Sequence, residues 1–168
     1  MQTFANRYIS ILYRYSQRYF SQRLREEGTP LELGQMPCMM RVLREPGLTQ
    51  EAISAQLGMD KGTVARSLCT LERQGYILRR EDPEDRRVNH IYPTQAGECL
   101  LQVLLRHFTD YQEMLFRGFS PEDQGQAMDL LRRMQANVAR QMEGIPPLCT
   151  GDHEPRTAEE NRGDGHNN

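Results

Sequence analysis

The residues with the clearest chemical character lie between positions 60 and 74. Val64, Leu68 and Leu71 recur at the spacing of one apolar helix face. Asp60 precedes them and is a favourable N-cap residue. The other face is predicted to expose short and basic side chains, namely Lys61, Gly62, Thr63, Arg66, Ser67 and Thr70. Such side chains suit the phosphates and base edges that duplex DNA presents in its major groove.

Position along this predicted helix gives each polar residue a candidate role. Lys61 and Thr63 lie at the N-terminus, where free backbone N–H groups also attract phosphate. Arg66 and Ser67 lie one turn later and could reach base edges, while Gly62 permits a close approach to the duplex. Arg73, near the C-terminal end, either contacts phosphate or offsets the helix dipole.

A charged turn between two short apolar stretches follows this helix. Residues 77–80 and 88–92 are strand candidates, so together with the turn they predict a β-hairpin. Its arginines are Arg79, Arg80, Arg86 and Arg87. Asp85 lies two residues before Arg87, so its carboxylate can hold the guanidinium in one direction. An arginine aimed in this way suits the narrow, electronegative minor groove of DNA.

The surrounding sequence predicts the elements that position these residues. Thr49 caps a short helix that ends at Gly58, and the helix capped by Asp60 follows directly. Two short helices joined by a tight glycine turn form the outline of a helix-turn-helix. Gly75 is predicted to be the C-cap of the helix that begins after Asp60. Further amphipathic helices are predicted over 4–27, 33–44, 94–117 and 120–143, the last two with Thr94 and Ser120 as N-caps. We therefore predict a mainly α fold of the α+β winged helix-turn-helix class, with a two-stranded wing.

The charge balance constrains how such a protein could hold DNA. The formal net charge of the 168 residues is −2. The segment 149–168 has a net charge of −3, so the rest of the chain has a net charge of +1. Affinity for DNA must therefore come from the local placement of arginines rather than from a basic chain as a whole.

Several classes of function lack their characteristic residues. No run of about 18 apolar residues predicts a membrane span, and the N-terminus lacks the pattern of a signal peptide, so we expect a cytoplasmic protein. We find no nucleophile–base pair, phosphate loop or metal-ligand spacing, and expect no enzymatic activity, cofactor or metal. Of the cysteines, Cys38, Cys69 and Cys99 are expected to be at least partly buried, and Cys149 to lie in a tail.

Residues 48–97 resemble the core of the MarR family of bacterial and archaeal regulators. The run reads LTQEAISAQLGMDKGTVARSLCTLERQGYILRREDPEDRRVNHIYPTQAG. Its D-x-R wing motif falls on Asp85 and Arg87, and its T-x-x-G motif falls on Thr94 and Gly97. Pro93 departs from the leucine that is usual before that threonine, which puts the end of the second wing strand in question.

The resemblance implies an obligate homodimer that binds an inverted-repeat operator. Residues 1–32 and 94–147 would form a helical dimerisation region around a winged helix-turn-helix domain at 33–93, and 148–168 would be a disordered polar tail. Family members are commonly repressors that respond to small aromatic or anionic ligands. Candidate residues for such an effector pocket are Tyr15, Arg18, Met39, Met40 and Arg41.

Two interpretations stay open at this point. The first is a sequence-specific DNA-binding transcriptional regulator with double-stranded DNA and a second copy of itself as partners. The second is a winged-helix module that binds another protein without sequence-specific DNA binding, which an overall acidic chain would suit. A steep salt dependence of duplex binding distinguishes the first from the second.

Overall fold

The computed structural model describes residues 4–141 as six helices and a small antiparallel sheet. The helices are α1 (Ala5–Glu26), α2 (Met36–Arg44), α3 (Gln50–Leu57), α4 (Lys61–Arg73), α5 (Gln95–Leu115) and α6 (Pro121–Gln141), with a 3-10 turn at Leu33–Gln35 before α2. The strands are β1 (Leu48–Thr49), β2 (Ile77–Glu81) and β3 (Asn89–Pro93). The predicted mainly α, winged helix-turn-helix fold is confirmed.

The predicted helix caps are present and set where the helices begin. The side chain of Thr49 accepts a hydrogen bond from the N–H of Ala52 at 3.2 Å. The carboxylate of Asp60 accepts one from the N–H of Thr63 at 2.8 Å. Each cap satisfies a backbone donor that the first helical turn leaves free. The sharp turn between α3 and α4 is made at Gly58, which has a φ of 60°.

The C-terminal helices begin in the same way. Thr94 caps α5, and Ser120 caps α6 by accepting the N–H of Asp123 at 3.1 Å. The helix predicted over 94–117 ends two residues early, at Leu115. Gly75, predicted to be the C-cap of α4, is the residue after the cap, with a φ of 79°. The predicted end of the last helix near 143 and the tail at 148–168 lie outside the described residues.

The sheet has the order β1-β3-β2, and the sequence did not predict β1. Leu48 of β1 and Arg79 of β2 both lie opposite Ile91, so β3 is the central strand. A strand of two residues has no alternation of its own, and it exists only because β3 lies beside it. The wing strands lie close to their predicted positions, and Pro93 is the last residue of β3, opposite Ile77.

The core lies between α2, α3, α4, the sheet and the first half of α5. Its fully buried members include Met39, Val42, Ile53, Leu68 and Leu104. By contrast, no residue of α6 is buried. One chain therefore completes the core of the winged helix-turn-helix part (residues 33–93, the winged unit), whereas its last described helix contributes no buried residue to a core. No helix within residues 4–141 combines the length and hydrophobicity needed to cross a membrane.

The start of α5 is held tightly against the turn that follows α4. Thr94 donates its side-chain hydrogen to the carbonyl of Gly75 at 2.6 Å, and its N–H to the carbonyl of Tyr76 at 3.0 Å. A Cβ atom on Gly97 would lie 2.2 Å from the Tyr76 carbonyl oxygen and 2.9 Å from Met39. The absence of a side chain at Gly97 is therefore what permits this contact.

We expect Gly97→Ala to lower the free energy of unfolding by about 1–3 kcal/mol, because the backbone of Tyr76 must move. Gly125→Ala on α6 is the matched control, since an added Cβ there meets nothing within 4 Å. Urea unfolding of both variants at one protein concentration checks this. Equal midpoints for the two variants would contradict the close contact at Gly97.

Candidate nucleic-acid interface

One face of α4 packs into the core and the other faces solvent. Val64, Leu68 and Leu71 are fully buried, as the sequence predicted. Lys61, Gly62, Arg66 and Arg73 are exposed, and Thr63 and Thr70 are half-buried. This helix therefore presents a polar, basic surface that its own chain does not cover.

The side chain of Arg66 folds back along the first turn of α4. Its guanidinium donates to the side-chain oxygen of Thr63 at 3.0 Å. A Cβ on Gly62 would lie 3.5 Å from that guanidinium and 3.3 Å from the carboxylate of Asp60. Hydrogen bonds from the side chain and backbone of Thr63 lower the pKa of Asp60, and the charge of Arg66 contributes less. The guanidinium of Arg66 therefore lies over the first turn of α4, next to Gly62.

Ser67 does not lie on the exposed face, and its assignment as an outward-facing residue is wrong. It is only 8% exposed, because it lies between Val64 and Leu71 on the inner side of the helix. There its hydroxyl lies beside the thiol of Cys38 and acts to lower the pKa of that thiol. The exposed face instead runs through Gly62, Arg66, Cys69 and Arg73, so sequence reasoning missed Cys69. The spacing of four, three and four residues was the signal that could have found it.

Asp82 organises the wing between β2 and β3. One of its carboxylate oxygens, Oδ1, accepts the N–H groups of Glu84 at 2.8 Å and Asp85 at 3.0 Å. Its other oxygen, Oδ2, lies 2.8 Å from Nε2 of His90 on β3. These hydrogen bonds lower the pKa of Asp82, and the bond with His90 has the largest effect. Sequence reasoning missed both residues, although an aspartate before Pro83 is a recognised turn signal.

Asp85 acts on the wing backbone rather than on a guanidinium. Its carboxylate accepts the N–H of Arg87 at 3.0 Å. Among the ion pairs of the described residues, none joins Asp85 to the Arg87 guanidinium, so the predicted aiming contact is not present in the free chain. The aspartate side chain is short and binds the nearest donor, which in this turn is the backbone N–H of Arg87. Arg86 and Arg87 are exposed at the tip.

The two arginines at the base of the wing have partners within the chain. The guanidinium of Arg79 pairs with the carboxylate of Glu72 at 3.1 Å, which connects β2 to the end of α4. The guanidinium of Arg80 lies 5.0 Å above the ring of Tyr92 on β3. These contacts hold the hairpin in place, whereas the cations at its tip are free to meet a ligand.

The five candidate effector residues do not line one open cavity of the single chain. Met39 is fully buried in the core and Met40 packs against it. Arg41 is paired with Glu45, the residue that follows the end of α2. Tyr15 and Arg18 are exposed on α1. Methionines at these positions fill the core, which is the commoner use of that side chain.

The prediction that Cys38, Cys69 and Cys99 are all at least partly buried holds only for Cys38. Cys38 is fully buried, and burial raises the pKa of its thiol even though Ser67 offers a hydrogen bond. Cys69 on α4 and Cys99 on α5 are exposed, so the expectation is wrong for these two. Cys149 lies outside the described residues.

This arrangement matches known proteins in both sequence and structure. The MarR family model matches residues 31–88, from before α2 to the end of the loop between β2 and β3. The crystal structure of a MarR transcriptional regulator from Methanosarcina mazei Go1 is 33% identical, with a TM-score of 0.74. The alignment covers 84% of this chain and all of that one. This chain belongs to the MarR family.

Curated relatives of this MarR-family chain agree with that assignment. An uncharacterised HTH-type transcriptional regulator, YybA, of Bacillus subtilis (strain 168) is 29% identical over 68% of this chain and 77% of its own length. The transcriptional regulator HosA of Escherichia coli O111:H- is 29% identical over 67% of this chain and 83% of its own. The protein is accordingly a transcriptional regulator of the winged helix-turn-helix type.

We expect the cysteines of the native protein to react with a thiol reagent in an order set by burial. Cys69 and Cys99 should be alkylated by iodoacetamide well before Cys38, because the reagent attacks an accessible thiolate. Cys38 is buried, and burial raises the pKa of its thiol. Peptide mass spectrometry of timed samples measures this, and urea should equalise the rates. Alkylation of Cys38 as fast as that of Cys69 would contradict the burial described above.

Proposed function

We propose that this regulator binds a specific DNA site as a homodimer, with α4 in the major groove and the wing against the adjacent minor groove. The observation that carries the proposal is the exposed face of α4, which presents Gly62, Arg66 and Arg73 along one line of a helix whose other face is fixed in the core. A helix held in this way can enter a groove without giving up contacts of its own fold.

The dimensions of α4 suit the major groove. Its 13 residues span about 20 Å, and a major groove about 12 Å wide admits one helix. Arg66 lies one turn from the N-terminus of α4. We propose that it makes a bidentate contact with guanine, which is the commonest specific contact between arginine and a base. Lys61 and the first backbone amides would lie toward phosphate. Arg66 is therefore the main base-reading candidate, and Ser67 is not.

The wing would supply the second set of contacts. Arg86 and Arg87 are exposed at its tip, and Asp82 and Asp85 hold its backbone. Arginine inserted into a narrow minor groove is attracted by its strong negative potential. We propose that these two arginines make that contact, and that the guanidinium of Arg87 takes its direction only when DNA is present.

A second copy of the chain is the partner that the exposed apolar surface fits. The large apolar side chains exposed in residues 4–141 all lie outside the winged unit, on α1 or just before it, on α5 and α6, and in the turn before α6. On α1 and just before it they are Phe4, Tyr8, Ile9, Leu12, Tyr13 and Tyr15, and on α5 they are Phe108, Met114 and Leu115. Phe119 and, on α6, Leu130, Leu131, Met134 and Val138 complete the set. Apolar surface on this scale is typical of an interface.

Dimerisation also answers the difficulty posed by the net charge. With a net charge of −2, one subunit attracts DNA weakly except through the few arginines on α4 and the wing. Two subunits related by a two-fold axis would double those contacts and place the two α4 helices at half-sites about one helical turn apart. An inverted-repeat operator follows from this symmetry.

The effect on transcription and its control form the finer part of the proposal. We propose that the regulator acts as a repressor, by occupying promoter DNA through the exposed face of α4 and the wing. A small aromatic anion is the proposed effector. The rings of Tyr19, Phe20, Phe108 and Tyr111 meet where α1 crosses α5, and the guanidinium of Arg23 lies 5.2 Å over Tyr19. Repeating the DNA-binding measurement with benzoate present tests this idea.

Selection of bound sequences from random DNA, followed by affinity measurements, tests the reading role of α4. We expect Arg66→Ala to cost about 1–3 kcal/mol at the selected site and to relax base preference at one position in each half-site. Ser67→Ala is the matched control on the same helix and should leave base preference unchanged, because its side chain is buried. Relaxed preference in the Ser67 variant alone, or the absence of duplex binding at low salt, would overturn the proposal.

Analytical ultracentrifugation tests the dimer. At micromolar concentration we expect the natural chain to sediment as a dimer, and Leu130→Glu combined with Met134→Glu to shift it toward monomer. Two charges would then have to enter an apolar interface. Gln126→Glu, also on α6, is the control and should stay dimeric. A natural chain that sediments as a monomer would remove both the interface and the inverted repeat from the proposal.

A further inference from the structure

The ring of His90 bridges two parts of the winged unit. Its Nε2 atom lies 2.8 Å from the carboxylate oxygen Oδ2 of Asp82, at the start of the wing loop. Its Nδ1 atom lies 2.7 Å from the carbonyl oxygen of Gly47, in the turn before β1. The imidazole therefore connects the wing loop to the turn before β1.

Both partners of the ring can only accept hydrogen bonds. A backbone carbonyl has no proton to give, and the pKa of Asp82 is lowered by its hydrogen bonds with His90, Glu84 and Asp85, so it is a carboxylate. Each ring nitrogen must then donate, and only the imidazolium form of histidine donates from both. In agreement, the hydrogen bonds with Asp82 and then Gly47 raise the pKa of His90.

The two oxygens of the Asp82 carboxylate have separate partners. Oδ1 accepts the N–H groups of Glu84 and Asp85 and so closes the wing loop. Oδ2 contacts His90. The Asp82 carboxylate thus links the charged imidazole to the backbone of the wing loop, which carries Arg86 and Arg87 at its tip. Loss of that charge would release the loop from the turn at Gly47 without unfolding the loop itself.

The remaining groups around His90 leave Asp82 as its main electrostatic partner. Thr49 on β1 and Arg80 on β2 both lie opposite His90 in register. The Arg80 guanidinium lies over the ring of Tyr92, the next residue of β3 on this face. Thr49 does not titrate, and the charge of Arg80 opposes the imidazolium. The proton on His90 therefore depends on the wing carboxylate.

We propose that His90 is a positioning residue whose charged form fixes the wing against the winged unit, so that affinity for DNA falls as pH rises. This proposal rests on the proposed function, because the wing must contact DNA for the affinity to respond. The ring itself touches neither base nor phosphate. It acts by holding Asp82, and through Asp82 the loop that carries Arg86 and Arg87.

The direction of the pH effect follows from the raised pKa. The stabilisation from His90 is fully present below the ordinary histidine pKa of about 6.5. It is lost as pH rises through the higher value that His90 has in the folded chain. A neutral ring can donate to Asp82 or to Gly47 but not to both. The wing then has more conformations to lose when it meets DNA, and binding weakens.

The experiment combines a readout on the free protein with one on DNA. We would follow the ring resonances of His90 and the amide resonances of the wing by NMR, and measure affinity for the selected duplex, from about pH 6 to about pH 9 at constant ionic strength. We expect the natural chain to lose about two- to tenfold in affinity, equivalent to one net hydrogen bond. The wing amides should change with the same midpoint as the His90 ring.

Three variants make the result specific. Asp82→Asn keeps the oxygen that closes the loop and removes the charge that holds His90, so its affinity should vary little with pH and the pKa of His90 should fall. His90→Gln should also give a flat profile. His107→Gln, on α5, should retain the pH dependence of the natural chain, since His107 contacts Glu27 rather than the wing.

The two proposals fail in different ways. An ordinary titration of His90 in the free protein, or an unchanged profile in Asp82→Asn, would overturn the role of His90 while DNA binding stands. Absence of duplex binding at every pH would overturn the proposed function and the effect on affinity together. A high titration midpoint with static wing amides would overturn the positioning step.

Discussion

The structure depends on the packing of α4 against α2, α3 and β2. Val64, Leu68 and Leu71 are fully buried there, and burial of such side chains contributes about 1.5–3 kcal/mol each. Because this face is fixed, the rotation of α4 about its axis is fixed as well. That rotation decides which residues meet a ligand: Arg66 and Cys69 face outward, and Ser67 faces Cys38.

The second constraint is that one chain does not bury all of its apolar surface. The winged unit has a closed core, whereas α6 has no buried residue and α1 exposes aromatic side chains along much of its length. A small chain buries a smaller fraction of its surface on folding than a large chain does. The long helices are therefore the surface that a second copy would cover in the proposed dimer, and that dimer would set the position of one wing relative to the other.

The wing shows how a charged loop becomes ordered without a core. Backbone donors of Glu84, Asp85 and Arg87 are satisfied by the carboxylates of Asp82 and Asp85, and the loop is joined to the body of the fold through His90. A network of this kind is sensitive to protonation because every acceptor depends on a particular donor. The same network leaves the cations at the tip free.

Local sequence patterns predicted the fold class, the caps at Thr49, Asp60, Thr94 and Ser120, and the position of both wing strands to within one residue. These features follow from local chemistry and short-range periodicity, which a chain expresses before it packs. The sequence also located the arginines of the candidate interface.

The remaining features depend on contacts between elements that are distant in sequence. Strand β1 forms only because it pairs with β3. Ser67 is buried because packing against neighbouring elements fixes the rotation of α4 about its axis. The pairing of His90 with Gly47 spans 43 positions, and no local pattern encodes a contact at that separation. Met39 fills the core rather than a pocket for the same reason. Periodicity says that a helix has an inner face, and packing decides which residues at its border belong to it.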